Sequence, residues 1–96
     1  MNESNGFARE LESFCGQNVV VDVSAPFTYI GKLQAIDANS ITLVEADVHD
    51  LRETTTSTDR YLVETHKHGI RVNRHRVTIL SRNIVSVSPL EAVVPY

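Results

Sequence analysis

GIRVNRHRVTILSRNIVSVSPL, residues 69 to 90, decides how this chain folds. Two short apolar runs, Val77 to Leu80 and Ile84 to Val87, flank the polar triplet Ser81-Arg82-Asn83. β-branched and apolar runs of this length around a polar triplet read as two strands of a closing hairpin joined by a tight turn. Residues 65 to 82 also hold Lys67, Arg71, Arg74, Arg76 and Arg82 with His66, His68 and His75, and contain no Asp or Glu. The chain carries a formal charge of −3, yet most of its positive charge is gathered in this one segment. Such segregation marks a face for an anionic partner.

Working outward, the chain has 96 residues, enough for one domain with a small core and no more. At 42% hydrophobic and 22% charged residues it has the composition of a folded globular protein. A net negative charge excludes a protein that coats nucleic acid over its whole surface, so any nucleic-acid site must be a local patch. Cys15 is the single cysteine, which rules out an internal disulfide; between Phe14 and Gly16 it reads as a buried small hydrophobe. No apolar run reaches membrane-spanning length and the N-terminus has no secretory layout, so a cytoplasmic protein is expected.

Upstream, SNGFARELESFCG predicts a short helix, with Ser4 as N-cap, Phe7, Leu11 and Phe14 on one stripe, and Gly16 as the stop. NVVVDVS is a strand with Val19, Val21 and Val23 on one face and Val20 and Asp22 on the other. Ala25-Pro26 breaks it, and FTYIGKLQAID forms a second strand in which Gly31 marks a bulge or sharp bend. Asp37-Ala38-Asn39-Ser40 is a turn, and ITLVEADVHDL a third strand. RETTTSTDR lacks apolar periodicity and reads as a loop. DRYLVETHKHGI reads as a short helix capped by Asp59 or Thr58 and ended by Gly69-Ile70, or as a continued hairpin. Strands at about 72 to 80 and 84 to 88 finish the domain, and the tail to Tyr96 pairs with nothing regular. The fold class is mostly β: a helix, then a bent five-stranded antiparallel barrel, with a long excursion between strands three and four at about 51 to 71.

Chemistry of the catalytic kind finds little footing. Ser81 and Ser86 have no His and acid pattern around them, no glycine-rich phosphate loop is present, and no cofactor is implied. His66 and His68, with His49 and His75, have a spacing that could place two ligands on one strand face, but with no Cys nearby they read as surface histidines rather than a metal site. The chain therefore reads as a binding or assembly module and not as an enzyme.

The order of elements, together with two motifs, resembles the Sm and Sm-like family, which includes bacterial Hfq. The first motif resembles the stretch from Asn18 to Asp47, with Gly31-Lys32-Leu33 and Ile36-Asp37; the second resembles Arg76 to Leu90, above all Asn83-Ile84-Val85-Ser86-Val87-Ser88. The resemblance implies a ring of five to eight copies, strand four of one pairing with strand five of the next, and single-stranded RNA bound at the two turns. On that mapping Asn39 stands where the family has a stacking side chain, and Ile41 where it has a uracil-reading Asn. Leu80-Ser81 stands where it has Arg-Gly, with Arg82 just beyond.

The candidate RNA-binding residues are thus Asp37, Asn39 and Ser40 in one turn, Ser81, Arg82 and Asn83 in the other, and Arg74 and Arg76 as phosphate contacts. For the basic residues the competing expectation is ion pairing with Glu45, Asp47, Asp50 and Glu53 on the adjacent strand. Phe7, Leu11, Val19, Val21, Val23, Leu33, Ile41, Leu43, Ile79 and Val85 are expected in the core. Weak base specificity follows from Asn39 and Ile41; a ring that serves protein partners without RNA is the alternative.

Overall fold

A computed structural model describes residues 3–53 and 56–95. Helix α1 (Glu3–Glu12) precedes strands β1 (Asn18–Val23), β2 (Phe27–Ile36) and β3 (Ser40–Asp50). Helix α2 (Thr58–His68) separates these from β4 (Arg74–Leu80) and β5 (Ile84–Pro89). Two 3-10 turns, Ser81–Asn83 and Leu90–Ala92, follow β4 and β5. The strands form one antiparallel sheet in the order β4-β3-β2-β1-β5. None of the described helices is long and apolar enough to cross a membrane.

The closing strands are present, but they are not a hairpin. β4 pairs with β3 and β5 with β1, so the two lie at opposite edges of the sheet. Leu80 and Ile84 are extended on either side of a 3-10 turn, which carries the chain across the barrel instead of folding it back on itself.

Bending begins where Gly31 lies. Lys32 pairs with Val44 and Ile30 with Asp47, so Gly31 faces two residues of β3. Glu45, one of these two, adopts a left-handed φ of 49°. A Cβ on Gly31 would sit 2.8 Å from the Cβ of Ala46 and 3.2 Å from the carbonyl oxygen of Val44. Gly31→Ala should therefore cost about 1–3 kcal/mol of stability, as overpacking against backbone does. Chemical denaturation checks this, and an unchanged midpoint would mean that β3 can retreat.

The inner face holds Leu11, Val19, Val21, Leu33, Ile41, Leu43, Ala46 and Ile79, with Phe7, Phe14, Val23, Ile84 and Val87 packed against them. Helix α1 thus closes the barrel with its one apolar stripe. It starts at Glu3, which puts Ser4 inside the first turn rather than at the cap. Gly16 ends the connection in a left-handed conformation, its N–H donating to the Leu33 carbonyl at 2.8 Å. Cys15 is exposed, contrary to expectation, because the turn after α1 spends Phe14 on the core and rotates the next side chain outward.

Val85 is the other correction to the core: it is 70% exposed. Asp22 pairs with Ser86 and Val23 with Ile84, so β5 carries one extra residue at this point. That bulge turns Ile84 and Val87 inward and Val85 out.

A second cluster lies on the outer face, where Val20, Ile30 and Leu90 are buried beneath Tyr61, Leu62, Ile70 and Val93. Helix α2 and the C-terminal turn therefore cover the back of the sheet. The N-cap of α2 is Ser57, earlier than Thr58 or Asp59, because its extended backbone lets the hydroxyl accept from the Arg60 N–H at 3.2 Å. Gly69 ends the helix, donating to Thr65 with φ 92°. Thr54 and Thr55, from the polar stretch read as a loop, and Tyr96 lie outside the described residues. Among the described residues the tail makes no strand pairing after Pro89, yet it packs through Leu90 and Val93.

Candidate nucleic-acid interface

The two polar turns meet at one end of the sheet. The Asp37 N–H donates to the Ser40 carbonyl at 2.8 Å, closing the β2–β3 turn. Ser40 pairs with Leu80, which brings the end of β4 alongside. The Ser81 N–H then donates to the Asn39 carbonyl at 2.8 Å, so the turns are clamped main chain to main chain. A further bond from the Ser24 N–H to the Asn83 carbonyl, at 2.9 Å, ties the second turn to the end of β1. With their backbones held, the side chains of Asp37, Asn39, Arg82 and Asn83 remain exposed, while Ser40 and Ser81 are half-buried.

This cluster can accept hydrogen bonds at Asp37 and both donate and accept at Asn39 and Asn83. Arg82 adds a planar cation with no ion pair among the described residues, suited to a phosphate or the face of a base. Ile41 is fully buried in the barrel core and cannot reach a ligand.

Arg74 and Arg76 stand elsewhere. Arg74 pairs with Ala46 at the opposite end of β4 from Leu80. Six residues of strand separate it from the turns, about 20 Å at the usual rise. Neither the turns nor the acidic residues engage it. Among the described residues Lys67, Arg71, Arg74 and Arg76 form no ion pair; Arg74 donates to the Asn73 carbonyl at 2.9 Å. The acidic residues of β3 are occupied by other partners. Glu45 meets His75 at 3.0 Å, and Asp50 meets Arg52 at 2.9 Å, whose hydrogen bonds hold the Asp50 carboxyl below its usual range.

Asp47 is buried and accepts from the Tyr61 hydroxyl and, at 2.9 Å, from the Asn73 amide. Asn73 also exchanges hydrogen bonds with the main chain of Val48, at 2.9 and 3.1 Å, extending the β3–β4 ladder through its side chain. Burial first, and then the bond to Asp47, push the Tyr61 phenol above its ordinary pKa. The His49 ring stacks on Tyr61 with centroids 3.8 Å apart, and its buried Nε2 has no hydrogen-bond partner among the described residues. Asp47, His49, Tyr61 and Arg71 line a cleft of ≈ 680 Å³ under α2. Of the other histidines, His68 meets Glu64 at 3.2 Å and His75 meets Glu45 at 3.0 Å.

Sequence reading missed one feature next to the turns. Phe27, Tyr29, Leu80 and Asn83 line a cleft of ≈ 300 Å³ beside the turn cluster. Its aromatic residues come from β2, remote in sequence from Ser81–Asn83, and only the bent sheet brings them there.

No family model matches this chain, and no curated protein matches it by sequence. Solved structures do match in fold. A Pyrococcus abyssi Sm protein, solved in complex with a uridine heptamer, has a TM-score of 0.58 at 16% identity, covering 84% of this chain and 93% of that one. An Archaeoglobus fulgidus Sm-like protein has a TM-score of 0.57 at 14% identity, over 84% and 89% of the two chains. The P. aerophilum SmAP1 heptamer follows at 0.53 and 18%, over 93% of each. The fold is that of the Sm proteins: an N-terminal helix and a bent five-stranded antiparallel sheet.

Proposed function

We propose that this chain assembles into a ring of identical subunits and binds single-stranded RNA through its clamped turns, with weak base specificity. The observation that carries the reading is the Ser81-to-Asn39 main-chain bond, which holds Asn39, Arg82 and Asn83 in one exposed group. Repetition of that group around a ring would give successive nucleotides equivalent contacts. The outer edges of β4 and β5 support assembly: both are open, and Val77 to Leu80 and Ile84 to Val87 carry no Lys or Pro to block strand addition. A heterologous contact of this kind closes into a ring or continues as a filament. Among the solved structures of the same fold are a heptamer and a protein bound to a uridine heptamer, which support the same reading.

In this role Asp37 orients the turns, Asn39 and Asn83 meet base edges or sugars, Ser40 and Ser81 contribute main-chain positions, and Arg82 stacks on a base or contacts a phosphate. With Ile41 buried and no aromatic in either turn, uridine has no dedicated reader, so oligo-U and oligo-A should bind similarly. Arg82→Ala should cost about 1–3 kcal/mol of RNA affinity. Titration of labelled single-stranded RNA at two salt concentrations tests both points. A strong preference for uridine would mean that a different side chain reads the base.

The net charge of −3 favours a second reading, a ring that serves protein partners and not RNA. Absence of RNA binding at low salt, with the ring intact, would leave that one standing.

A further inference from the structure

We propose that Lys32 and Arg76 form a second RNA contact on the outer face of the sheet, a phosphate-binding strip that leads the chain away from the turns. The inference deepens the RNA reading above and rests on it. The strip follows from strand register. Leu33, Leu43 and Val77 pair across β2, β3 and β4, and all three pack in the inner cluster. One residue along, Lys32, Val44 and Arg76 pair in the same way, so their side chains leave the opposite face. Lys32 and Arg76 are exposed, and two strand spacings set their backbones about 10 Å apart. Neither forms an ion pair among the described residues.

The strip joins the turn cluster along β4. Arg76, Thr78 and Leu80 alternate onto this one face, all three exposed, and Leu80 leads directly into Ser81. Four residues of strand carry Arg76 to Leu80, about 13 Å. Thr42 of β3 lies opposite Thr78, the two hydroxyls 3.4 Å apart. β4 itself carries no acidic residue, and Glu45, which follows Val44, is engaged by His75 at 3.0 Å. Helix α2 leaves this part of the outer face open, because it lies over Val20 and Ile30 instead.

Unbalanced charge of one sign suits a polyanion. Strand addition at the β4 edge uses main-chain groups and leaves these side chains free. Continuity with Arg82 and Asn83 along a single strand favours RNA over an acidic protein. The turns then hold a few nucleotides, and the strip holds the sugar–phosphate chain beyond them without regard to base. Such contacts add affinity only for a chain long enough to reach them.

Chain length and salt test the strip. Lys32→Gln and Arg76→Gln, made singly and together in the full chain, keep most of each stem and remove the charge, with circular dichroism and light scattering confirming fold and assembly. Labelled oligo-A of about 7 and about 30 nucleotides is titrated at several salt concentrations. Wild type should bind the long chain more tightly than the short one. The double variant should lose at least about tenfold on the long chain and bind the short one as wild type does. Its slope of log affinity against log salt should fall by about 1.4, at about 0.7 for each lost phosphate contact, and each single variant should show half that change. A charge-matched control, Arg9→Gln with Arg60→Gln, should bind both lengths like wild type. Unchanged long-chain affinity and slope in the double variant, or equal losses on both lengths or in the control, would overturn the strip while the turns keep their RNA. Poly-aspartate that displaces the long chain as well as unlabelled oligo-A does would overturn RNA as the strip's ligand in favour of an acidic protein. No binding of either length by wild type at low salt would overturn the RNA reading and the strip together.

Discussion

Truncating Leu33 to alanine should lower the unfolding free energy by about 2–5 kcal/mol, the cost of a cavity in a fully buried aliphatic core. Leu33 is 0% exposed and lies in the inner cluster that joins α1 to the barrel. A domain of this size has roughly 5–15 kcal/mol in total, so the variant should sit near its unfolding threshold. Ile30→Ala should lose a similar amount on paper, since Ile30 is also 0% exposed. Its location makes the outcome differ in kind. Ile30 belongs to the outer cluster that holds α2 and the C-terminal turn. Hydrogen exchange should therefore quicken first across 58–68 and 90–93 in Ile30→Ala, and across the whole barrel in Leu33→Ala. Identical exchange patterns in the two variants would show that the clusters are a single cooperative unit.

Asp47→Ala should be the most damaging polar substitution, at about 3 kcal/mol, because it strips two donors of a charged acceptor in a buried setting. Tyr61 and Asn73 both donate to this carboxylate, and between them they hold α2 and the start of β4 to β3. Asp47→Asn keeps the shape and should recover part of the loss. The same contact predicts alkaline behaviour. Burial and the Asp47 bond raise the folded-state pKa of Tyr61 above the ordinary phenol value of about 10. The native state then holds the phenolic proton more tightly than the unfolded chain does. That stabilisation is fully present below pH about 10 and is lost as pH rises through the folded-state value. Absorbance at 295 nm, in a Tyr29→Phe, Tyr96→Phe background, should show Tyr61 ionising only as α2 is released. In the Asp47→Ala background ionisation should come at lower pH, because burial alone remains. A phenol that titrates normally in both backgrounds would rule out the latch.

Much of this was open to reading in the chain itself. The alternation of Val19, Val21 and Val23 against Val20 and Asp22 identifies β1 and its inner face, because strand side chains alternate whatever they pack on. Gly31 marks the bend, since only a residue without a Cβ can pass Ala46 so closely. The turn residues at 37–40 and 81–83 stand out by composition, and α1 by its stripe of Phe7, Leu11 and Phe14. These are local properties, settled within a few residues of chain.

What the sequence could not settle were the relations between segments distant along it. Val77 to Leu80 and Ile84 to Val87 look like a hairpin, and nothing in them says that their partners are β3 and β1. Val85 looks like a core residue, until a bulge set by its pairing with β1 turns it out. Val20 and Ile30 carry an apolar pattern on the back of the sheet whose meaning depends on α2 arriving from beyond residue 57. The distance between Arg74 and Arg82 is likewise a matter of which end of β4 meets the turns. Local sequence determined the strands, their faces, the bend and the turns, because backbone sterics and side-chain alternation act over neighbours. Tertiary structure alone decided edge, register and covered face, because each depends on a second segment's surface and not on the residues that display the pattern.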